Sequence, residues 1–124
     1  GIVLGWEARR MAMIDPAVYN ITIHQGATFE LNLQYKDGTG TPVNMSGYTV
    51  AGQLWNKLGT AKLADFTHQW TTQASGSFKL RLPATVTSGI TEQGQYDVMI
   101  TEPNGDKYYF LQGTALFDPG LTGR

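Results

Sequence analysis

Side chains capable of chemistry are few in this 124-residue chain, and their spacing does not gather them. The two histidines, His24 and His68, stand at no metal-ligand spacing from each other or from a carboxylate pair, so each reads as a surface or half-buried hydrogen-bonding group. Ser46-Gly47 and Ser75-Gly76 lack the strand-to-helix elbow that activates a serine and read as turns. The ten acidic residues fall mostly in turns or on solvent-facing strand positions, where nothing is expected to raise a carboxyl pKa. No glycine-rich phosphate loop precedes a helix. The chain has no cysteine, which removes thiolate catalysis, disulfides and thiolate metal sites. The expectation is a protein that is not an enzyme, with no catalytic residue, no metal and no cofactor.

Aromatic residues leave more room. Trp55, Trp70, Tyr108 and Tyr109 could form a flat platform on which a sugar ring stacks, or they could fill the space between two sheets. Trp55 falls on the strand face opposite Val50 and Leu54. Tyr108 and Phe110 share a face opposite Tyr109 and Leu111, and a strand apolar on both faces is sandwiched between layers or covered by another subunit. Trp55, Tyr108 and Phe110 are therefore the candidates for an exposed aromatic patch.

The elements that must position these residues are strands. In a hairpin from Gln95 to Asp118, Tyr96, Val98 and Ile100 alternate with Asp97, Met99 and Thr101, Pro103-Asn104-Gly105-Asp106 reverses the chain, and Lys107 to Phe117 returns. Tyr19, Ile21 and Ile23 form the inward face of an earlier strand. Phe29, Leu31, Leu33 and Tyr35 alternate with Thr28, Glu30, Asn32 and Gln34, and Phe78, Leu80 and Leu82 alternate with Ser77, Lys79 and Arg81. Tyr48 to Asn56 reads as another strand and Pro42-Val43-Asn44 as an edge piece. Residues 61–70 read as a strand carrying Ala64, Phe66, His68 and Trp70, with a helix as the alternative. Pro83 to Ile90 reads as one helical turn plugging an end of the domain with Ala84, Val86 and Ile90. The fold class that results is all-β: an immunoglobulin-like antiparallel β-sandwich of seven or eight strands with one short helical crossover.

Residues 1–17 stand apart from this grammar as an N-terminal arm, with 18–124 as the sandwich domain. Ile2, Val3, Leu4 and Trp6 are apolar without a single period; Arg9, Arg10, Met11 and Met13 follow. The arm either folds back over an open end of its own domain or orders on a partner with Trp6 as anchor. A net charge of −1, with 15% charged residues, offers no basic field for nucleic acid. No apolar run approaches the ~20 residues a membrane helix needs, and the arginines follow the apolar residues, the wrong order for a secretory signal. The expectation is a soluble protein made in a cytoplasm, with no nucleic-acid or membrane partner.

Four segments carry a family resemblance: YNITIHQGATFELNLQYKD (19–37), PVNMSGYTVAGQL (42–54), GSFKLRLPATVTSGI (76–90) and GQYDVMITEPNGDKYYFLQGTALFDPGLT (94–122). Their order and spacing resemble the small immunoglobulin-like β-sandwich of tailed-bacteriophage virion proteins, similar to the N-terminal domain of baseplate upper proteins. The first 17 residues have no counterpart in that pattern. The resemblance implies a structural component of a virus particle in the tail, baseplate or neck, assembled in the bacterial host cytoplasm. Its partners would be other virion proteins and copies of itself, gripped through sheet edges and the arm residues Ile2 to Met13. A capsid decoration or cement protein is the near alternative, and a carbohydrate-binding or adhesin module the more distant one.

Overall fold

The computed structural model describes residues 17–119 and the backbone of residues 2–7. Ten strand segments lie among them: β1 (Ile2–Glu7), β2 (Ala17–Val18), β3 (Ile21–His24), β4 (Phe29–Lys36), β5 (Thr49–Asn56), β6 (Lys62–Asp65), β7 (Thr67–Thr72), β8 (Ser77–Leu82), β9 (Gly94–Thr101) and β10 (Lys107–Asp118). They form two layers. Sheet A runs β1-β4-β8-β7; sheet B runs β2-β10-β9-β5-β6, with β3 also on β10. The orders β4-β8-β7 and β5-β9-β10 are those of the immunoglobulin sandwich, and β6 extends the second sheet as an added strand does in variable-type domains. Among the described residues no helix is long and apolar enough to cross a membrane.

The strands with the cleanest alternation build the core. Leu31, Leu33, Phe78, Leu80 and Leu82 from sheet A meet Ile21, Ile23, Leu54, Val98 and Leu111 from sheet B, all essentially closed to solvent. Edge-on aromatic contacts tie the layers, with Tyr35 5.6 Å from Phe110 and Phe66 6.2 Å from Tyr96. The helical turn Ala84–Thr87 (α1) closes one end as expected, although Ile90 and Thr87 are its buried residues while Ala84 and Val86 are half-buried. The Thr87 hydroxyl donates to the Ala27 carbonyl at 2.8 Å, so the plug is bonded to the strand entry it covers.

Three departures from simple alternation shape the molecule. The first lies between β2 and β3, where one continuous strand is expected. Both segments run parallel to β10, and they are separated because the Asn20 side-chain oxygen, in place of a backbone carbonyl, accepts from Thr114 N–H at 3.0 Å. The Tyr19 carbonyl turns inward instead and takes the Tyr96 hydroxyl. Glycine at 113 permits this, since a methyl there would meet the Tyr19 oxygen at 2.2 Å.

The second departure divides residues 61–70. β6 pairs antiparallel with β5 in sheet B, and β7 pairs antiparallel with β8 in sheet A, so the chain changes layers within a few residues. Phe66 is the pivot. Its N–H still donates to the Gly52 carbonyl, and its buried ring occupies the space left by the missing Gly52 side chain, where a Cβ would stand 3.1 Å away.

The third departure is a β-bulge in β10. Tyr109 pairs with Met99 but Leu111 pairs with Val98, leaving Phe110 as the extra residue. Phe110 and Leu111 therefore both enter the core, at 4% and 0% exposure. Of the two alternatives for a doubly apolar strand, burial between the layers is the one met at these positions. Upstream, the reversal between β9 and β10 is held by Gly105 N–H on the Glu102 carbonyl and Glu102 N–H on the Asp106 carbonyl, with Gly105 at φ +94°.

Candidate functional site

The sequence offers two candidate surfaces, the N-terminal segment and the aromatic patch. Ile2, Val3, Leu4 and Trp6 lie in β1, whose backbone runs parallel to β4 in the register Ile2 to Leu31 through Glu7 to Lys36. Residues 2–7 thus extend the domain's own sheet A at its β4 edge. Arg9, Arg10, Met11 and Met13 lie outside the described residues, as does the boundary drawn at residue 17 on its N-terminal side.

The aromatic patch does not form. Phe110 is buried by the bulge, so it cannot be part of an exposed surface. Tyr108, 41% exposed, pairs with Ile100 and shares that residue's inward side at the rim of the sandwich. Trp55 pairs with Gln95 on the outward side of sheet B. Trp55 and Tyr108 thus point to opposite faces, and five residues of β9 separate their levels, roughly 17 Å at the usual strand rise. Trp70 packs at the edge of the core, its ring 4.4 Å from His68 and 6.0 Å from Phe78. His24 makes an exposed 3.1 Å contact with Asp118. His68 is half-buried, and burial lowers its pKa from the ordinary 6.5; its Nε2 is enclosed without a hydrogen-bond partner. A neutral ring wedged between aromatics suits packing better than proton transfer. No group of three metal-ligating side chains assembles among the described residues.

What the structure does bring together is a groove of about 380 Å³ on the outward face of sheet B. Its floor comes from alternate residues of adjacent strands. Asp97 and Gln95 project from β9, and Gln112 and Thr114 from the register-matched positions of β10. Trp55 of β5 forms one wall, its indole N–H donating to the Gln53 side-chain oxygen at 3.3 Å. Val18 and Asn20 form the opposite wall, where the break between β2 and β3 opens the sheet edge. The end wall is the β5–β6 turn, braced by the Asn56 carboxamide, which accepts Thr60 N–H at 2.8 Å and Ala61 N–H at 3.2 Å. Gly59 of that turn lies so close to Gln95 that an added methyl would stand 2.8 Å from the Gln95 amide nitrogen.

Asp97 is the electrostatic feature of this groove. It is partly buried, and desolvation raises its carboxyl pKa above the ordinary 3.8, contrary to the expectation that no acid here is perturbed. No hydrogen bond or ion pair reaches it among the described residues. Among the described residues, neither lysine nor arginine lines the groove. Sequence reasoning singled out Trp55 but missed its companions. The available signal was register: once β5, β9 and β10 are adjacent, the outward residues flanking Trp55 can only be these polar ones.

Comparison with known proteins agrees with the two-layer architecture. The model of the LtfC-like β-sandwich domain family matches residues 15–116, which takes in every strand from β2 to β9 and most of β10. No curated protein matches the chain. The matched span covers most of the sequence, including the groove and every strand of the two sheets but β1; the chain belongs to the LtfC-like, bacteriophage-associated family of β-sandwich domains.

Proposed function

We propose that this protein is a structural component of a tailed-bacteriophage particle, in the tail, baseplate or neck, and that it works by subunit contact rather than catalysis. The family match supports a phage setting, and the resemblance to baseplate upper domains favours the tail end of the particle. One observation carries the contact mechanism. The β4 edge of sheet A takes up the six-residue strand β1 in parallel orientation, Ile2–Glu7 against Leu31–Lys36. A sheet edge that accepts such a strand by main-chain hydrogen bonds can accept the same strand from a neighbouring copy with the same bonds. Repetition of that exchange around a ring of subunits turns a modest contact into a durable one through avidity. Ile2, Val3, Leu4 and Trp6 supply the strand, and Arg9, Arg10, Met11 and Met13 extend the contact.

The absence of native cysteine makes the exchange directly measurable. Val3 and Asn32 are register partners, so V3C and N32C together place two thiols at neighbouring Cα positions within disulfide reach. Phage grown with this double variant, opened without reductant, should yield a covalent ladder of this subunit. A band at monomer mass alone, with the disulfide formed, would overturn strand exchange. Electron density placing the chain on the capsid shell would overturn the tail assignment in favour of a cement role.

A further inference from the structure

From the groove on sheet B, we infer a binding site for a neutral carbohydrate, formed by Trp55, Gln95, Asp97, Gln112 and Thr114. This goes beyond the structural role proposed above and does not depend on it. The surroundings determine the ligand class. A volume of about 380 Å³ lies at the small end of ligand sites, suited to one or two sugar rings rather than to a folded partner's side. The floor is rich in groups that both donate and accept: the carboxamides of Gln95 and Gln112 and the hydroxyl of Thr114. Vicinal sugar hydroxyls, each a donor and an acceptor, match that set.

Asp97 narrows the choice. Its carboxylate accepts only, has no partner among the described residues and is partly withdrawn from water, so a ligand donating two hydroxyl hydrogens relieves it. Among the described residues the lining holds one carboxylate and no cation, which favours a neutral ring over phosphates, uronic acids and sialic acids. Trp55 supplies an apolar wall to set against the C–H face of a ring, and the Gln53 contact holds its indole in place. Rigidity favours a preformed site: the end wall is the Asn56-braced turn, and the Asn20 wall is bonded to Thr114 N–H.

The test uses the whole chain, isotopically labelled, titrated with maltose, cellobiose, lactose and chitobiose while backbone amide resonances are followed. At least one of these should move the amides of Gln95, Asp97, Gln112 and Thr114 in a saturable way. Trp55→Ala and Asp97→Asn should each weaken that sugar by about tenfold or more. Trp55→Phe, which keeps an aromatic wall, should weaken it less and guards against a folding defect in the alanine variant. A lysine-rich peptide serves as the competing class. If it shifts these amides and the sugars do not, the groove is a protein contact for a basic side chain and the inference fails. Failure of all four sugars to shift the groove, or unchanged affinity in both the Asp97→Asn and Trp55→Phe variants, overturns it equally.

Discussion

The outward faces of the two sheets have similar strands but differ in how their central polar groups are paired. On sheet A, Glu30 lies between Lys79 at 3.2 Å and Arg81 at 3.7 Å, and the Gln34 amide donates to the Ser75 carbonyl at 3.1 Å. Its polar groups answer one another across β4 and β8. On sheet B the equivalent central position is Asp97, flanked in register by Gln53 and Gln112, with no cation paired to it among the described residues and Trp55 one step along. Sheet A presents an ordinary solvated surface. Sheet B leaves the Asp97 carboxylate without a partner among the described residues, beside a Trp55 ring held by Gln53. An outward strand face is therefore not neutral ground: what separates surface from site is whether the side chains have satisfied each other.

The severest way to break this contrast is to remove what aligns the layers. Phe66→Ala empties the pivot at the β6–β7 layer change beside Gly52, and should cost about 3–5 kcal/mol, read by chemical denaturation. If β5 and β9 are held in place by that ring, the groove's affinity for its sugar should fall with stability. A loss below about 1 kcal/mol would show that the two sheets hold their positions without it.

A smaller effect sharpens the contrast at Asp97 itself. Its folded-state pKa is raised, so above that pKa the ionised carboxylate weighs against the fold. As pH falls from the raised folded value towards the ordinary 3.8, the native state binds its proton first and this contribution to stability rises, levelling off below 3.8. Asp97→Asn should therefore raise Tm at neutral pH by roughly 1–3 °C, discounted for the group's partial exposure, and abolish that acid-side rise. His68 acts in the opposite direction. Its lowered pKa means that stability falls as pH drops through 6.5, because the unfolded chain takes up that proton first. A Tm for Asp97→Asn at or below that of the parent would show that the carboxylate has an unrecognised stabilising role.

The least effect is expected on the satisfied face. Glu30→Gln dismantles a partly exposed three-residue ion cluster, and such surface pairs contribute little. The change in unfolding free energy should stay below about 1 kcal/mol and shrink further in high salt. A larger loss would place sheet A's outer face among the structural determinants and weaken the comparison.

Much of the architecture was legible beforehand because period-two alternation is a local property. Phe29 to Tyr35, Phe78 to Leu82 and Tyr96 to Ile100 each declare an inward face without reference to any other strand, and Pro103-Asn104-Gly105 declares a reversal. The exceptions arose where a local rule met a distant neighbour. Phe110 reads as outward or inward depending on a bulge set by pairing with Met99 and Val98. Phe66 reads as mid-strand until Gly52, fourteen positions earlier, supplies the space that turns it into a corner. Asn20 reads as a strand residue until its side chain takes the place of a backbone acceptor on Thr114.

The candidate site divides along the same line. Trp55 was identifiable from the chain alone, because a large aromatic opposite Val50 and Leu54 has to leave the core. Its association with Asp97 and Gln112, and its separation from Tyr108 and Phe110, depended on which strands became neighbours and in what register. By itself the sequence determined that these residues form strands, that two greasy faces must be buried against each other, and that no thiol chemistry is possible. Only the tertiary structure decided which outward side chains meet. Inward faces are selected by water, which every residue senses locally, whereas outward faces are composed by pairing, which no single strand can specify.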